Sequence, residues 1–168
     1  MKAIGLFYGT STVKTAKIAV KIKKAFDDAK VDVVPIEDAW RKDFEAYDNL
    51  IVGTATWFDG ELPTYWDEVL PELESLKLKG KKVAIFGLGD QAKYPDNFVD
   101  GIGILADTFE KTGAVIVGMT SPEGYTFNQS TALRDGKLLG LAIDIENQSG
   151  ETDKRIEDWV KQLKKELD

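Results

Sequence analysis

The chain has 168 residues, of which 43% are apolar and 30% charged, and its net charge is −7 at pH 7. This composition predicts one globular domain over residues 1–168 rather than a disordered or membrane-spanning chain, and the acidity argues against nucleic acid or an anionic membrane as a partner. The absence of Cys and His excludes thiol nucleophiles, Ser-His triads and the usual zinc sites, so we predict no metal site.

The first predicted strand covers residues 2–8, an apolar run typical of a strand that is buried on both faces. It starts too early to leave room for a signal peptide, and we expect a cytoplasmic protein. A hydroxyl-rich turn over residues 10–15 leads into a helix predicted over residues 13–28. Backbone N–H groups and the positive end of the helix dipole meet at such a turn, which favours a bound phosphate over a simple helix cap.

The next elements alternate in the same way. Strands are predicted over 31–36, 50–54 and 82–86, and Pro35 predicts that the second one lies at a sheet edge. Residues 37–47 are predicted to be irregular. Thr64 is predicted to open a capping box, and with it a helix that ends near Leu73. Asp96 is predicted to cap the following helix, whose apolar positions are Phe98, Ile102, Leu105 and Phe109.

A fifth strand is predicted to start at residues 114–118 and to resume at 138–143, with a polar insertion over 119–137 between the two parts. Asp135-Gly136 is a turn signal within the insertion. The last helix is predicted to start near Thr152. Its inward-facing residues are predicted to be Ile156, Trp159, Val160, Leu163 and Leu167.

Strands that alternate with helices predict an α/β fold: a doubly wound, five-stranded parallel sheet in the order 2-1-3-4-5, with helices on both faces. In that order the chain reverses direction between strands one and three, and ligands bind there, beyond the carboxyl ends of the strands. Those ends carry the turn at Thr10, the loop at Ala55 and the loop at Gly87.

Two aromatic residues belong to these loops, Trp57 and Tyr94, and each offers a flat face to a flat ligand. The match of Gly87, Gly89 and Ala92 to a dinucleotide fingerprint is discounted, because Pro95 interrupts the chain where a helix should begin. A phosphate turn, two aromatic residues and no catalytic side chain together predict a flat, phosphorylated cofactor.

In four segments the sequence resembles the flavodoxins, and the resemblance extends over the whole chain. They are Thr10-Ser11-Thr12-x-x-Thr15, Thr54-x-Thr56-Trp57, Gly87-Leu88-Gly89-Asp90-Gln91-x-x-Tyr94-Pro95-x-Asn97-Phe98 and Gly140-Leu141-Ala142-x-Asp144-x-x-Asn147-Gln148-Ser149. The interrupted fifth strand resembles the insertion of the long-chain bacterial subgroup.

The resemblance implies non-covalently bound FMN and low-potential one-electron transfer between redox enzymes, in place of ferredoxin. Residues 10–15 would hold the phosphate, Trp57 and Tyr94 would stack on the flavin ring, and Asn97 and Glu146 would lie near the flavin or its ribityl chain. The implied cofactor-binding residues are Thr10, Ser11, Thr12, Val13, Lys14, Thr15, Thr54, Ala55, Thr56, Trp57, Phe58, Asp59, Leu88, Gly89, Asp90, Tyr94, Asn97 and Glu146.

Two positions depart from the family pattern. Val13 stands where the phosphate turn usually has Gly, so its backbone N–H can serve the phosphate only if φ there is negative. Phe58 follows the stacking Trp57, in a turn that in the family needs a positive φ at one central residue on reduction. Phe58 or Asp59 in that conformation would be strained by roughly 1–3 kcal/mol. We therefore predict that this chain stabilises one-electron-reduced flavin less than a relative with Gly at that position.

The resemblance also implies partners with basic surfaces, such as an NADPH-dependent flavodoxin or ferredoxin reductase and oxidoreductases that use ferredoxin, and we expect a monomer. An FMN-dependent NAD(P)H:quinone reductase on the same fold is the main alternative. A signalling receiver domain would need an acceptor Asp after strand three and acids after strand one, where this chain has Thr54 and Thr10. A binding module without redox function would purify without yellow colour.

Overall fold

In the computed structural model, which describes residues 1–9, 13–27, 29–56 and 60–168, the core is a parallel sheet. The strands of this sheet are β1 (Ile4–Tyr8), β2 (Val31–Pro35), β3 (Asn49–Ala55), β4 (Lys82–Leu88), β5 (Val115–Val117) and β8 (Leu141–Ile143). Their order is β2-β1-β3-β4-β5, and β8 also pairs with β4. The predicted doubly wound order is therefore confirmed.

The fifth position of the sheet is shared by two strands. The first half of β4 pairs with β5, with Lys82 opposite Val115, and the second half pairs with β8, with Phe86 opposite Leu141. Between them the insertion forms a hairpin of β6 (Leu133–Arg134) and β7 (Lys137–Leu138). Asp135 and Gly136 both have positive φ, 53° and 80°, as a tight two-residue hairpin turn requires. The predicted interruption of strand five is confirmed.

Helices cover both faces of the sheet. Helices α1 (Val13–Ala25) and α6 (Thr152–Glu166) pack Ile18, Ile22 and Trp159 against one face. The other face is covered by α2 (Arg41–Glu45), α3 (Thr64–Leu73) and α4 (Asp100–Lys111), and a short α5 (Ile145–Gln148) follows β8. Over the described ranges, no helix combines the length and apolarity that crossing a lipid bilayer would require.

Close packing at Gly53 aligns the ends of β1 and β3. A Cβ atom at Gly53 would lie 1.9 Å from Cζ of Phe86, so only glycine fits there. The Gly53 carbonyl accepts two hydrogen bonds, from the Gly9 N–H at 3.0 Å and from Nε1 of the buried Trp66 at 2.9 Å. These contacts hold the residue that precedes the predicted phosphate turn against the carboxyl end of β3.

Two predictions about the connections on the α3 face were wrong. Residues 37–47 are not irregular: a 3₁₀ turn covers Ile36–Asp38, and α2 follows. The Trp40 N–H donates to Asp43 Oδ2 at 2.7 Å, and burial of Phe44 anchors this short helix in the core. The capping box at Thr64 was misplaced, because Pro63 is the N-cap of α3 and Thr64 is its first helical residue.

The predicted helix cap at Asp96 was also wrong. Helix α4 begins only at Asp100, after Val99 in a left-handed conformation with φ of 47°. Three backbone hydrogen bonds, Tyr94 N–H to Asp90 O, Asn97 N–H to Tyr94 O and Asp100 N–H to Asn97 O, keep the preceding segment in successive turns. The Asp96 carboxylate instead accepts a hydrogen bond from Asn128 Nδ2 in the insertion at 2.9 Å.

Candidate functional site

A cavity of about 400 Å³ lies beyond the carboxyl ends of β3 and β4, beside the start of α1. Its volume falls in the range of roughly 300–1,000 Å³ that is common for small-molecule sites. Doubly wound sheets bind ligands at this edge, where the strand order reverses. The residues that line the cavity are Lys14, Ala55, Thr56, Leu88, Gly89, Asp90, Lys93, Tyr94, Ile145 and Glu146.

The structure brings eight of the residues implied by the flavodoxin resemblance to this one cavity. They are Lys14, Ala55, Thr56, Leu88, Gly89, Asp90, Tyr94 and Glu146. Sequence reasoning missed two lining residues, Lys93 and Ile145. A usable signal for Ile145 was its position just after the last predicted strand, because parallel strands bring their carboxyl ends to one edge.

Four other implied residues are described but do not line the cavity. Thr15 is buried inside α1, Thr54 donates its hydroxyl to the Ala55 carbonyl at 2.8 Å, and the Asn97 N–H bonds to the Tyr94 carbonyl. Val13 is the first residue of α1 and is exposed. The donation of its backbone N–H to a phosphate stays a prediction, because Thr12, which precedes it, lies outside the described residues.

The remaining implied residues lie outside the described part of the chain. These are Thr10, Ser11 and Thr12 in the predicted phosphate turn, and Trp57, Phe58 and Asp59, which follow β3 in the sequence. Their proposed roles stay predictions.

The cavity carries charges of both signs. The Lys14 ammonium, on the first turn of α1, forms an ion pair with the Glu146 carboxylate on α5. Burial would raise the pKa of Asp90, but hydrogen bonds from the Lys93 N–H, Asn147 Nδ2 and the Ala92 N–H outweigh it and lower the pKa below its usual value. Asp90 therefore presents a stable negative charge to the cavity at neutral pH.

The aromatic wall of the cavity is held by the same aspartate. The Tyr94 N–H donates to the Asp90 carbonyl at 2.8 Å, and the Asp90 Oδ1 atom accepts from the Lys93 N–H at 2.9 Å. The Lys93 ammonium lies 5.6 Å from the centre of the Tyr94 ring, within the range of a cation–π contact. Tyr94 is thus a partly exposed ring on a hydrogen-bonded turn.

These residues fit a flat, phosphorylated cofactor. The Lys14 ammonium supplies positive charge, and the N-terminal end of α1 carries the positive end of the helix dipole. Tyr94 supplies an aromatic face, and Thr56 and Leu88–Asp90 line the same cavity. The residues that line the cavity therefore offer both positive charge for a phosphate and an aromatic face for a ring.

The sheet order defines a doubly wound α/β protein. Its candidate ligand cavity lies at the edge of the sheet where the strand order reverses. Residues 6–159 match the family model described as flavodoxin. A flavodoxin from a Nostoc species is 47% identical over 166 residues, which cover 99% of this chain and 98% of the relative. One from Trichodesmium erythraeum is 47% identical over 169 residues, with 99% of each chain covered.

Among solved structures, this chain is similar to Fusobacterium nucleatum flavodoxin bound to flavin mononucleotide. The TM-score is 0.96, the sequence identity is 37%, and the match covers 100% of both chains. The protein belongs to the flavodoxin family. Members of this family are electron-transfer proteins, and a redox carrier works between redox partners.

Proposed function

We propose that this protein carries single electrons at low potential between redox enzymes, in the place of ferredoxin, with FMN held non-covalently in the cavity beside Lys14 and Tyr94. The observation that carries the proposal is the convergence on one cavity of eight residues that the flavodoxin resemblance implied. The similar Fusobacterium nucleatum protein binds flavin mononucleotide. When bound, FMN would supply the electron-accepting and electron-donating chemistry.

The chain's own residues divide the binding between two ends of the cavity. Residues 10–15, including the Lys14 ammonium, would hold the phosphate at the start of α1. Trp57 and Tyr94 would enclose the ring, and backbone groups of 55–59 and 88–90 would contact its edges. Glu146 and Asn97 would lie near the ring or the ribityl chain.

Acidic side chains near the cavity would tune the potential. Asp90 and Glu146 line the cavity, and Asp59 and Glu61 belong to the loop after β3. At an effective dielectric of about 20, each unit charge at ~10 Å opposes added negative charge by on the order of 1–2 kcal/mol before screening by salt. Several such acids together would disfavour the doubly reduced, anionic cofactor and lower the second potential.

We infer that residues 1–168 form one domain and that the protein acts as a monomer. The acidic residues Asp59, Glu61, Asp90 and Glu146, here called the acidic rim, would attract basic surfaces on an NADPH-dependent reductase and on oxidoreductases that accept electrons from ferredoxin. A cytoplasmic location belongs to the same proposal, since NADPH in the cytoplasm would be the source of its electrons.

The protein is an electron carrier without substrate turnover of its own, so the quinone reductase alternative is not favoured. The two functions predict different behaviour with NADPH. A carrier should be reduced by NADPH only when a reductase is added, whereas a quinone reductase would be reduced rapidly by NADPH alone.

An absorption spectrum of the purified, refolded protein with FMN tests the proposal directly. We expect a yellow complex that survives gel filtration and whose flavin is released, unmodified, on acid precipitation. Folded protein that stays colourless in excess FMN would refute the proposal.

Two separate variants test the roles of Lys14 and Tyr94. Lys14→Gln should weaken the binding of FMN more than that of riboflavin, because only FMN carries a phosphate. Tyr94→Ala should weaken the binding of both ligands.

A further inference from the structure

A fully buried carboxylate, Asp144, joins two walls of the cavity without lining it. Its Oδ2 atom accepts hydrogen bonds from the Gln91 backbone N–H at 3.0 Å and from Gln91 Nε2 at 2.7 Å. Its Oδ1 atom accepts from the Asn147 backbone N–H at 3.0 Å, as the N-cap of α5. A buried charge needs such donors, because losing one leaves it uncompensated.

Both partners of Asp144 are close neighbours of cavity residues. Gln91 follows Asp90 and stands three residues before Tyr94, while Ile145 and Glu146 lie between Asp144 and Asn147. A second link runs in parallel, since Asn147 Nδ2 donates to Asp90 Oδ1 at 2.8 Å and to Asp144 Oδ1 at 3.1 Å. The Tyr94 wall and the Glu146 wall therefore meet at one carboxylate.

The far end of the Gln91 side chain is also bonded. Its Oε1 atom accepts a hydrogen bond from the Thr126 backbone N–H in the insertion, while Nε2 donates to Asp144. The amide thus spans from the insertion to the end of β8, and its orientation is determined at both ends. Gln91 is buried, so water does not compete freely for these bonds.

We propose that Asp144 and Gln91 are positioning residues for the ring end of the FMN site, holding the Tyr94 wall at a set distance from the Ile145–Glu146 wall. This inference rests on the proposed function, because it assumes that a flavin occupies the cavity. Neither residue touches the ligand; they act through the turn that carries Tyr94 and through the start of α5. Loss of the pair should loosen the grip on the ring and leave the phosphate end intact.

The test compares Gln91→Leu with a matched control, Gln162→Leu. Gln162 Nε2 donates to the Met119 carbonyl at 2.7 Å, so the control removes a similar bond between α6 and the insertion, away from the cavity. Refolded, FMN-free proteins are titrated with FMN and with riboflavin, and fluorescence of the bound flavin is recorded. We expect Gln91→Leu to raise the dissociation constants of both ligands by about tenfold, because the variant loses a hydrogen bond to a buried charge.

The spectroscopic signature separates positioning from a general loss of stability. In Gln91→Leu the flavin should be less quenched by the ring of Tyr94, and the ratio of the riboflavin to the FMN dissociation constant should stay at its wild-type value. Gln162→Leu should bind and quench as wild type does. Equal effects of the two variants, or weakening of FMN alone, would overturn the inference.

A reciprocal exchange covers the case in which Gln91→Leu folds poorly. The double variant Gln91→Glu with Asp144→Asn keeps the charge and reverses donor and acceptor, so quenching and affinity should recover at least partly relative to Asp144→Asn alone. No recovery would overturn the inference. Wild-type protein that binds no FMN would instead refute the proposed function, which keeps the two failures apart.

Discussion

Lys14 and Glu146 form an ion pair across the cavity, although 132 positions of sequence separate them. The pair links the first turn of α1, where a phosphate would bind, to the first turn of α5. Both side chains are about half exposed, 54% and 50%, so water and salt weaken the pair.

Removing the acidic member of this pair should strengthen FMN binding. In Glu146→Gln the Lys14 ammonium is free to face the phosphate, and one negative charge leaves the cavity. We expect a dissociation constant a few-fold lower at low ionic strength, with the gain fading as salt rises; fluorescence titration of the FMN-free protein measures it. Lys14→Gln should instead lower the affinity for FMN.

The chain supplies a matched control for that experiment. Lys21 on α1 and Asp153 on α6 form another exposed ion pair, and these residues are also 132 positions apart. Neither of them lines the cavity. Asp153→Asn should leave FMN affinity unchanged. If Asp153→Asn strengthened binding as much as Glu146→Gln, net charge rather than the Lys14–Glu146 pair would be responsible.

Gly53→Ala should destabilise the fold. The added methyl group would overlap the Phe86 ring, and overpacking of a close-packed core costs about 1–3 kcal/mol or more. Urea unfolding of the FMN-free protein measures the loss of unfolding free energy. Gly150→Ala is the control, because a Cβ there has no neighbour within 4 Å, and a change within about 0.5 kcal/mol is expected. Equal stability of the two variants would contradict the packing argument.

Stability should fall at alkaline pH partly through Tyr125. Burial raises the pKa of Tyr125 to about 12, with the Asp144 charge adding to the effect and Arg155 opposing it. The folded protein therefore keeps the phenol proton where the unfolded chain loses it. This stabilisation is complete below pH 10, the ordinary pKa, and is lost as the pH rises through about 12.

Tyr125→Phe separates that effect from the hydrogen bond of the same group. The hydroxyl donates to the Ala142 carbonyl at 2.6 Å, so the variant should lose about 1 kcal/mol at neutral pH. Between pH 10 and 12 its unfolding free energy should fall less steeply than that of wild type; denaturant unfolding at each pH measures this. Tyr65→Phe, at an exposed position, should follow the wild-type curve.

Association with a basic redox partner should slow as salt rises, because charges on the rim steer the encounter over roughly 10 Å at 0.1 M salt. Glu61→Gln, in the loop after β3, should reduce both the association rate and its salt dependence in stopped-flow mixing with a reductase. Glu157→Gln on α6 makes the same change in net charge away from the cavity and should have a smaller effect. A rate that is indifferent to salt, or equal effects of the two variants, would contradict steering by the rim.

Local sequence patterns were sufficient for the strands and for the edge where the site lies. Strands buried on both faces leave continuous apolar runs, and their alternation with helices predicts a parallel sheet whose ligand edge follows from strand order. Local reasoning failed at α4, where Asp96 resembled a cap but its carboxylate is bonded to Asn128 of the insertion. It also missed α2, which depends on burial of Phe44 in the distant core.

The sequence by itself thus determined the class of fold and the doubly wound strand order, because these follow from periodicity and from the alternation of strands and helices. Most residues of the cavity were implied by the resemblance to the flavodoxins. Only the tertiary structure decided that Lys14 pairs with Glu146, that Trp66 donates to Gly53, and that Asp144 is buried between Gln91 and Asn147. Such contacts join residues far apart in the chain. They depend on how strands align and helices pack, which no short window of sequence encodes.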